Sequence, residues 1–357
     1  MSSAIMKFRT LFAGRSIMTK AQPLAFILVL LALAGVVSAQ SLDIPSERWG
    51  ISFGNSKNFS GLRFNFRDGG VEHIRGVNVT LWQPRDKMND EAVVDGLSLG
   101  LIPGAGTLRG IQIGLLGVAG TKEIRGLSFG LLGAGSGGSI KGITIGGLGL
   151  GAGEDLVGIN IGGLGAGAGG NVTGINIGGL GIGSGGNLTG ITIGGLGAGA
   201  SDNVKGINIG GLGIGAGEDM IGLNVGGLGV GAGGKLVGLN IAGIGAGAGD
   251  SLSGLTFAGV GAGSTNVRGL VVAGVAAGGQ HIRGVLLAGA FTALGKDGDL
   301  RGIAAAPVNW HKGSTTGLSI GIVNYAWTLK GLQLGLVNIV RDNPPGLRVL
   351  PIFNAGF

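Results

Sequence analysis

The sequence predicts an all-β repeat protein, and a glycine-rich β-solenoid with coils of about 16 residues is the first interpretation. A lead glycine recurs at a constant step, at positions 110, 126, 142, 158, 174, 190, 206, 222, 238 and 254. Each unit also contains a short run of alternating apolar and polar residues, which is typical of β-strands. Because units this short cannot bury an apolar face alone, they must stack on their neighbours.

The composition excludes several functional classes. Glycine supplies 85 of the 357 residues, charged residues make up only 12%, and the mean hydropathy is +0.51. A disordered chain needs more charge than this. The absence of cysteine excludes disulfides, thiol catalysis and thiolate metal sites.

The net charge of +7 overstates the basic character of the folded part. Four basic residues and no acidic residue lie in the first 39 positions, which leaves 21 basic and 18 acidic residues beyond them. We therefore do not expect a nucleic-acid partner bound through a basic surface. The four leader residues are Lys7, Arg9, Arg15 and Lys20.

Residues 1–39 are predicted to be an export signal. Basic residues precede an apolar run at 24–37, and small residues at its end predict cleavage before Gln40. A compact signal peptide could begin at Met18 instead of the first residue. The apolar run is short for a membrane helix, although an N-terminal anchor helix is the alternative. Export predicts a mature protein outside the inner membrane of a bacterium.

Residues 40–109 form a region of irregular N-terminal repeats. Runs that begin at Gly61, Gly76 and Gly96 alternate apolar and polar residues, so each predicts a half-buried strand. The longest gap contains the charged segment 84–92, interpreted as a loop or as a polar cap over the first coil. Atypical terminal repeats are expected because an exposed end would show its core to water.

Residues 110–266 are the regular block. Ile159 and Ile161 share one strand face, and the apolar residues change parity after Gly162 and Gly163. A straight strand keeps one parity, so we predict a corner at these two glycines, allowed by the freedom of glycine at positive φ. The isoleucines before the corner and the leucines after it are then expected to point into one shared interior.

The polar residue between the two isoleucines recurs in every unit of this block. In stacked coils these residues form a ladder, with neighbours about 4.8 Å apart. The expected interior leaves this ladder on the opposite face of the strand. Its members are Asn160, Asn176, Asn208, Asn224 and Asn240, with Thr144 and Thr192 as substitutes.

Residues 267–357 are divergent C-terminal repeats that end in an aromatic strand. Two runs share a phrase, Gly-Leu-Ser-Ile-Gly-Ile-Val-Asn from Gly317 and Gly-Leu-Gln-Leu-Gly-Leu-Val-Asn from Gly331. This phrase and the terminal segment resemble the bacterial surface-repeat family known from spirochaete surface proteins, over roughly residues 302–357. The resemblance implies an exported, surface-associated β-repeat protein with no defined activity.

The glycine block departs from the pattern of that family. Counted from the lead glycine, Gly163 stands where the C-terminal repeats have Ile322 or Leu336. On the same count, Gly165 stands where they have Asn324 or Asn338.

We identify no catalytic, cofactor-binding or metal-ligating residue in the sequence. The three histidines have no second histidine or cysteine at ligand spacing, so they are interpreted as turn or surface residues. Acidic turns could attract calcium, but a calcium solenoid places an aspartate at a fixed position of every repeat, and this chain does not. The histidines are His73, His281 and His311, and the acidic turns are Glu154-Asp155, Glu218-Asp219 and Asp297-Gly-Asp299.

A second interpretation of the fold is an outer-membrane β-barrel of about 20 antiparallel up-and-down strands, acting as a pore or envelope protein. The uncharged span 156–168 and the terminal Phe357 favour it. The parity change, the short turns and the lack of aromatic girdles argue against it.

The sequence thus predicts an exported cell-envelope or surface scaffold with a structural or adhesive role and no catalysis. A carbohydrate-active solenoid would need clustered carboxylates, whereas these acidic residues are dispersed. An ice-binding surface would use threonines where this chain has mostly asparagine. The expected partners are the cell envelope or outer membrane and further copies of the chain, and the sequence indicates no ligand or cofactor.

Overall fold

The computed structural model describes residues 41–84 and 89–356. The predicted export signal and its cleavage site lie outside the described residues. The described chain is nearly all β, and its short 3₁₀ helix spans Pro345–Leu347.

The strands fall into three groups along the chain. The N-terminal strands are β1 Leu42–Ser46, β2 Trp49–Phe53, β3 Asn58–Arg67, β4 His73–Trp82, β5 Val93–Gly100, β6 Gly104–Gly114 and β7 Gly117–Gly130. Strands of the regular block are β8 Gly133–Ser136, β9 Ser139–Gly146, β10 Gly149–Ala152, β11 Leu156–Gly162, β12 Gly165–Ala168, β13 Val172–Gly178, β14 Gly181–Ser184, β15 Leu188–Gly194, β16 Gly197–Ala200, β17 Val204–Gly210, β18 Gly213–Ala216, β19 Met220–Gly226, β20 Gly229–Ala232 and β21 Lys235–Ala242. The remaining strands are β22 Gly245–Ala258, β23 Gly261–Ala273, β24 Ala276–Ala288, β25 Phe291–Ala305, β26 Val308–Ile320, β27 Val323–Val340 and β28 Val349–Gly356.

Consecutive coils pair in parallel and in register. Gly158 lies opposite Gly142 on one side and Gly174 on the other, and the same correspondence of lead glycines runs from Gly50 to Gly331. The fold is therefore a β-solenoid, as predicted, and it has about 17 turns. At about 4.8 Å per layer it forms a rod on the order of 80 Å long. The barrel interpretation is wrong, because an up-and-down barrel pairs neighbouring strands antiparallel.

Antiparallel strands close both ends of the stack. At the start, β1 pairs with β2, so that Ile44 lies opposite Ile51. At the other end, β28 folds back on β27 and places Gly356 opposite Gly331. Each end of the parallel ladder thus meets a strand of opposite direction, which uses the hydrogen-bonding groups of a free edge.

The predicted corner in the middle of each unit is confirmed. Strand β11 ends at Gly162 and β12 begins at Gly165, with Gly163 and Leu164 between them. A Cβ on Gly163 would overlap the carbonyl oxygen of Gly147 in the preceding coil. The corner glycine is therefore required by the close approach of two backbones, and it does not have a positive φ.

The positive φ belongs instead to the lead glycines. Their φ values lie between +103° and +143°, in a region that side chains with a Cβ rarely adopt. At Gly174, for example, φ is +115° and a Cβ would overlap the carbonyl oxygen of Gly158. Each lead glycine lies inside a strand, so the chain changes direction there while the pairing between coils continues.

The prediction of which strand face lines the interior is wrong, because the inward and outward faces are exchanged. Asn160 is fully buried, whereas the isoleucines on either side of it point outward. Leu164 is 50% exposed, and Leu156 and Ala166 fill the interior beside Asn160. The inward parity of Asn160 and Gly162 continues at Ala166, so only the corner leucine departs from it.

Hydrogen bonds along the stack make buried asparagine acceptable. The Nδ2 of Asn208 donates to Oδ1 of Asn224 at 3.0 Å, and the Nδ2 of Asn224 donates to Oδ1 of Asn240 at 2.9 Å. Thr192 interrupts this predicted ladder, and its Oγ1 and the Nδ2 of Asn176 are buried without a partner among the described residues. An amide repeated in register can satisfy its neighbour, which an isolated buried amide cannot do.

A second buried asparagine ladder occurs in the C-terminal repeats. The Nδ2 of Asn309 donates to Oδ1 of Asn324 at 2.7 Å, and Asn324 donates likewise to Asn338 at 2.8 Å. By register this column continues that of Ala166, through Ala246, Ala262, Ala277 and Thr292. The predicted correspondence of Asn324 with Gly165 is therefore off by one residue. Leu287 pairs with Ala305 and Phe291 with Val308, so the three residues 288–290 at one corner correspond to only two, 306–307, at the next.

The lead glycines allow a matched test within one coil. We expect Gly174→Ala to lower the free energy of unfolding by about 1–3 kcal/mol, because alanine is strained at this φ. Gly183→Ala, where a Cβ meets nothing within 4 Å, should change it by less than about 0.5 kcal/mol or raise it slightly. Urea unfolding followed by far-UV circular dichroism measures both, and equal effects would contradict the assignment.

The asparagine ladder predicts two substitutions of opposite sign. Thr192→Asn should raise the free energy of unfolding by about 1 kcal/mol, because the new amide joins Asn176 to Asn208. Asn224→Thr should lower it by about 1–2 kcal/mol, because it breaks a continuous run. Both residue types already occur in this column, so neither change alters the backbone. The same urea experiment decides, and a shift in the same direction for both would argue against the ladder.

Candidate functional site

Charge is confined to one half of each coil. From Gly96 to Gly331, the nine residues that follow each lead glycine contain no aspartate, glutamate, lysine or arginine. The charged residues of these coils precede the next lead glycine. We call the part formed by each lead glycine and the nine residues after it the uncharged half. These parts of successive coils are stacked on one another, so the uncharged half runs along the rod without interruption.

The outward side chains of the uncharged half form apolar columns. The first and third residues after each lead glycine are apolar in every coil, and the corner column adds half-exposed side chains such as Leu180 and Leu196, each 49% exposed. A strip about 80 Å long and roughly 10 Å wide has an area on the order of 800 Å². The largest apolar patch of a typical soluble monomer is only about 300–600 Å².

The backbone of the uncharged half is satisfied by neighbouring coils. At the corner, the amide of Leu164 donates to the carbonyl of Leu148 at 2.6 Å, and that of Gly163 donates to the carbonyl of Gly146 at 3.0 Å. Beyond the corner, β12 pairs in parallel with β10 and β14. This surface therefore offers apolar side chains and glycine, with these backbone amides already paired.

A column of basic residues borders the uncharged half. It occupies the position immediately before the lead glycine, and its basic side chains are mostly exposed. Two runs are in register along the stack, Arg109 with Arg125 and Lys141, and Arg268 with Arg283 and Arg301. Like charges on neighbouring strands are destabilising. From Gly76 to Gly331 the basic members of the column are Arg75, Arg109, Arg125, Lys141, Lys205, Arg268, Arg283, Arg301 and Lys330, Asp95 is acidic, and the other coils have an uncharged residue at this position.

Acidic side chains offset part of each basic run, and in the first run Oδ1 of Asp95 lies 3.9 Å from Nη1 of Arg109. Oε1 of Glu123 accepts from Nη2 of Arg125 at 2.9 Å and from Nζ of Lys141 at 3.1 Å. Burial raises the pKa of Glu123, but the hydrogen bonds from the two basic groups outweigh it and hold the pKa below its usual value. Asp299 lies 3.5 Å from Arg301 in the second run. Each run therefore keeps an excess of positive charge.

Two of the acidic turns considered for calcium, those of Asp155 and Asp219, form part of another ladder. Oδ1 of Asp155 accepts from the backbone amide of Asn171 at 2.8 Å, and Oδ1 of Asp219 accepts from that of Lys235 at 2.8 Å. Between these turns, Oδ1 of Asn171 accepts from the backbone amide of Asn187 at 3.0 Å, and Oδ1 of Asn203 accepts from that of Asp219 at 3.2 Å. Within residues 41–84 and 89–356, no group of three or more acidic, histidine or cysteine side chains is arranged to hold a metal ion.

Two of the three histidines lie on the surface, as predicted. His73 lies 2.7 Å from Asp95, and His281 lies 2.5 Å from Asp299. The prediction is wrong for His311, which is 1% exposed inside the C-terminal coils. Its ring nitrogens lie 3.2 Å and 3.0 Å from the hydroxyls of Thr292 and Thr315. Burial lowers the pKa of His311 to about 4, so the imidazole is neutral at neutral pH.

Comparison with known proteins gives no relative. No protein-family model, curated protein or solved structure matches this chain. The resemblance of residues 302–357 to the surface-repeat family therefore stays a prediction. The described part of the chain contains no helix with the length and apolarity needed to cross a lipid bilayer.

The buried histidine predicts a pH-dependent stability. Above pH 6.5 the histidine is neutral in both states and has no effect. As the pH falls from 6.5 to about 4, His311 becomes protonated in the unfolded chain but stays neutral in the folded protein. The free energy of unfolding therefore decreases by roughly 3 kcal/mol. Urea unfolding across this range should show the decrease in the wild type and in His73→Gln, which changes a surface histidine. His311→Gln should lack it, and an unchanged slope in that variant would contradict the assignment.

Proposed function

We propose that the protein is an exported structural scaffold of the bacterial cell envelope, with a mechanical or adhesive role and no catalytic activity. The observation that carries this proposal is the parallel pairing of lead glycine with lead glycine, which continues through every coil from Gly50 to Gly331. A stack in which each coil pairs along its length with the next is stiff, and its useful properties are its length and its repeated surface.

Two features support a location at the envelope. The leader has the composition of an export signal. The uncharged half presents an apolar strip larger than an isolated soluble protein usually exposes, which favours association with another envelope component. The resemblance of the C-terminal repeats to bacterial surface proteins points the same way.

The arrangement of polar groups supports a scaffold over an enzyme. The ladder asparagines form hydrogen bonds between coils. The turn carboxylates of Asp155 and Asp219 accept hydrogen bonds from backbone amides of the next coil. Hydrolysis by paired carboxylates requires two such groups across a substrate cleft. The ladder residues form hydrogen bonds with the ladder residues of neighbouring coils, so these polar groups are directed along the rod and not toward a substrate.

Fractionation of a bacterium that expresses the full chain tests this proposal. We expect the mature protein to begin at Gln40 and to collect in the envelope fraction. Leu30→Arg with Leu31→Arg, which interrupts the apolar run of the leader, should keep the unprocessed chain in the cytoplasm. Protein with an intact leader in the cytoplasm of the wild type would contradict export. A hydrolase activity lost on substitution of a carboxylate pair would contradict the scaffold role.

A further inference from the structure

We propose that the uncharged half of the rod lies on the surface of an anionic lipid membrane, with the basic column at the level of the headgroups. This inference rests on the proposed envelope function and names its partner. The rod would lie along the membrane without spanning it, so that its apolar strip is immersed and its polar turns face water.

The order of the side chains around one coil is the first argument. In each coil that has a basic residue before its lead glycine, two outward apolar residues follow that glycine, and the corner residue comes after them. In the coil of Gly206 these are Lys205, Ile207, Ile209 and Leu212, with the three apolar side chains 38–49% exposed. An apolar surface bordered by basic residues is the pattern of proteins that bind anionic membranes from one side.

The basic runs are the second argument. Arg268, Arg283 and Arg301 are stacked in register, at the spacing of one layer, and Arg109, Arg125 and Lys141 form the same arrangement. Such runs cost stability to the free protein, whereas a plane of phosphate groups would neutralise them. Turn residues such as Glu218 and Asp250 precede the column position of their coil by three residues, so along the chain they lie further from the outward apolar residues that follow the lead glycine.

The corner is the third argument, and it favours lipid over a second copy of the chain. The uncharged surface continues around the corner leucines from the isoleucine columns to the glycine columns, so it is convex. A second rod could cover only one side of a convex edge, whereas fluid lipid surrounds it. Lipid contact also demands that backbone groups be paired internally, and the amides of Gly163 and Leu164 meet this demand.

Sedimentation with lipid vesicles tests the inference on the protein purified from the envelope fraction. The probe is a vesicle of phosphatidylcholine in which phosphatidylglycerol makes up a third of the lipid, compared with phosphatidylcholine alone. We expect binding to the mixed vesicle and weaker binding to the neutral one. Lys205→Gln with Arg268→Gln and Arg283→Gln should remove most of this preference, because each basic side chain contributes roughly fivefold to binding.

A matched pair of triple variants tests the apolar strip. Substitution of Ile161, Val225 and Ile241 by threonine should weaken vesicle binding by about tenfold or more. The control changes the same kind of residue in the same three coils, on the basic side of the lead glycine. It is Val157, Ile221 and Val237 to threonine, where neighbouring coils already have Thr173 and Thr189. We expect less than about a twofold effect from the control, since those positions lie outside the immersed strip.

Circular dichroism establishes that each variant is folded, and the charge variants test the inference independently if an apolar variant does not fold. Equal weakening by both triple variants would overturn it, as would equal binding to neutral and anionic vesicles. A dimer in analytical ultracentrifugation that is lost only in the Ile161 triple variant, without vesicle binding, would assign the strip to a second copy. In either case the fractionation result would still support an envelope scaffold, so the two proposals fail separately.

Discussion

The fold depends on one constraint, the in-register parallel pairing of each coil with the next. Backbone amides at the corners and in the strands donate to carbonyls in adjacent coils, so little of the pairing lies within a coil. Lead glycines make this possible, because the chain turns at each of them at positive φ while it stays in the ladder. A side chain there would strike the carbonyl of the coil before it. Glycine therefore recurs at a constant step in the sequence because every layer excludes a Cβ at this position.

Register has a second consequence, which is that side chains at equivalent positions of neighbouring coils meet, and many of them are identical. Buried amides become self-complementary, and so the Nδ2 of the fully buried Asn160 donates to Oδ1 of Asn176 in the next coil at 2.9 Å. On the outside the same rule stacks isoleucine on isoleucine and arginine on arginine. The first arrangement stabilises the rod, whereas the second is costly in water. The stacked interior residues therefore stabilise the rod. The stacked apolar and basic residues outside favour its association with an anionic membrane.

Sequence reasoning failed at the two faces of the strand for an identifiable reason. It assigned Ile159 and Ile161 to the interior because apolar residues are usually buried, and it left Asn160 outside. That rule omits the hydrogen bonds that a repeated amide can form along a stack. His311 was misplaced similarly, because its partners Thr292 and Thr315 become neighbours only in three dimensions. The spacing of charged residues did contain the signal for the uncharged half, since it holds for every coil from Gly96 onward.

The sequence by itself determined that the chain is a stack of short β-coils, that each regular unit turns at its paired central glycines, and that the polar residues of this block form a ladder, because all three follow from a constant period and from glycine. Only the tertiary structure decided which side of each strand faces inward and that the coils run parallel. It also decided that the column of Ala166 continues as Asn309, Asn324 and Asn338. These features depend on closure of the coil and on one residue lost at a corner. Both features depend on the three-dimensional path of the chain. A periodic sequence pattern alone does not indicate which face of a strand points inward.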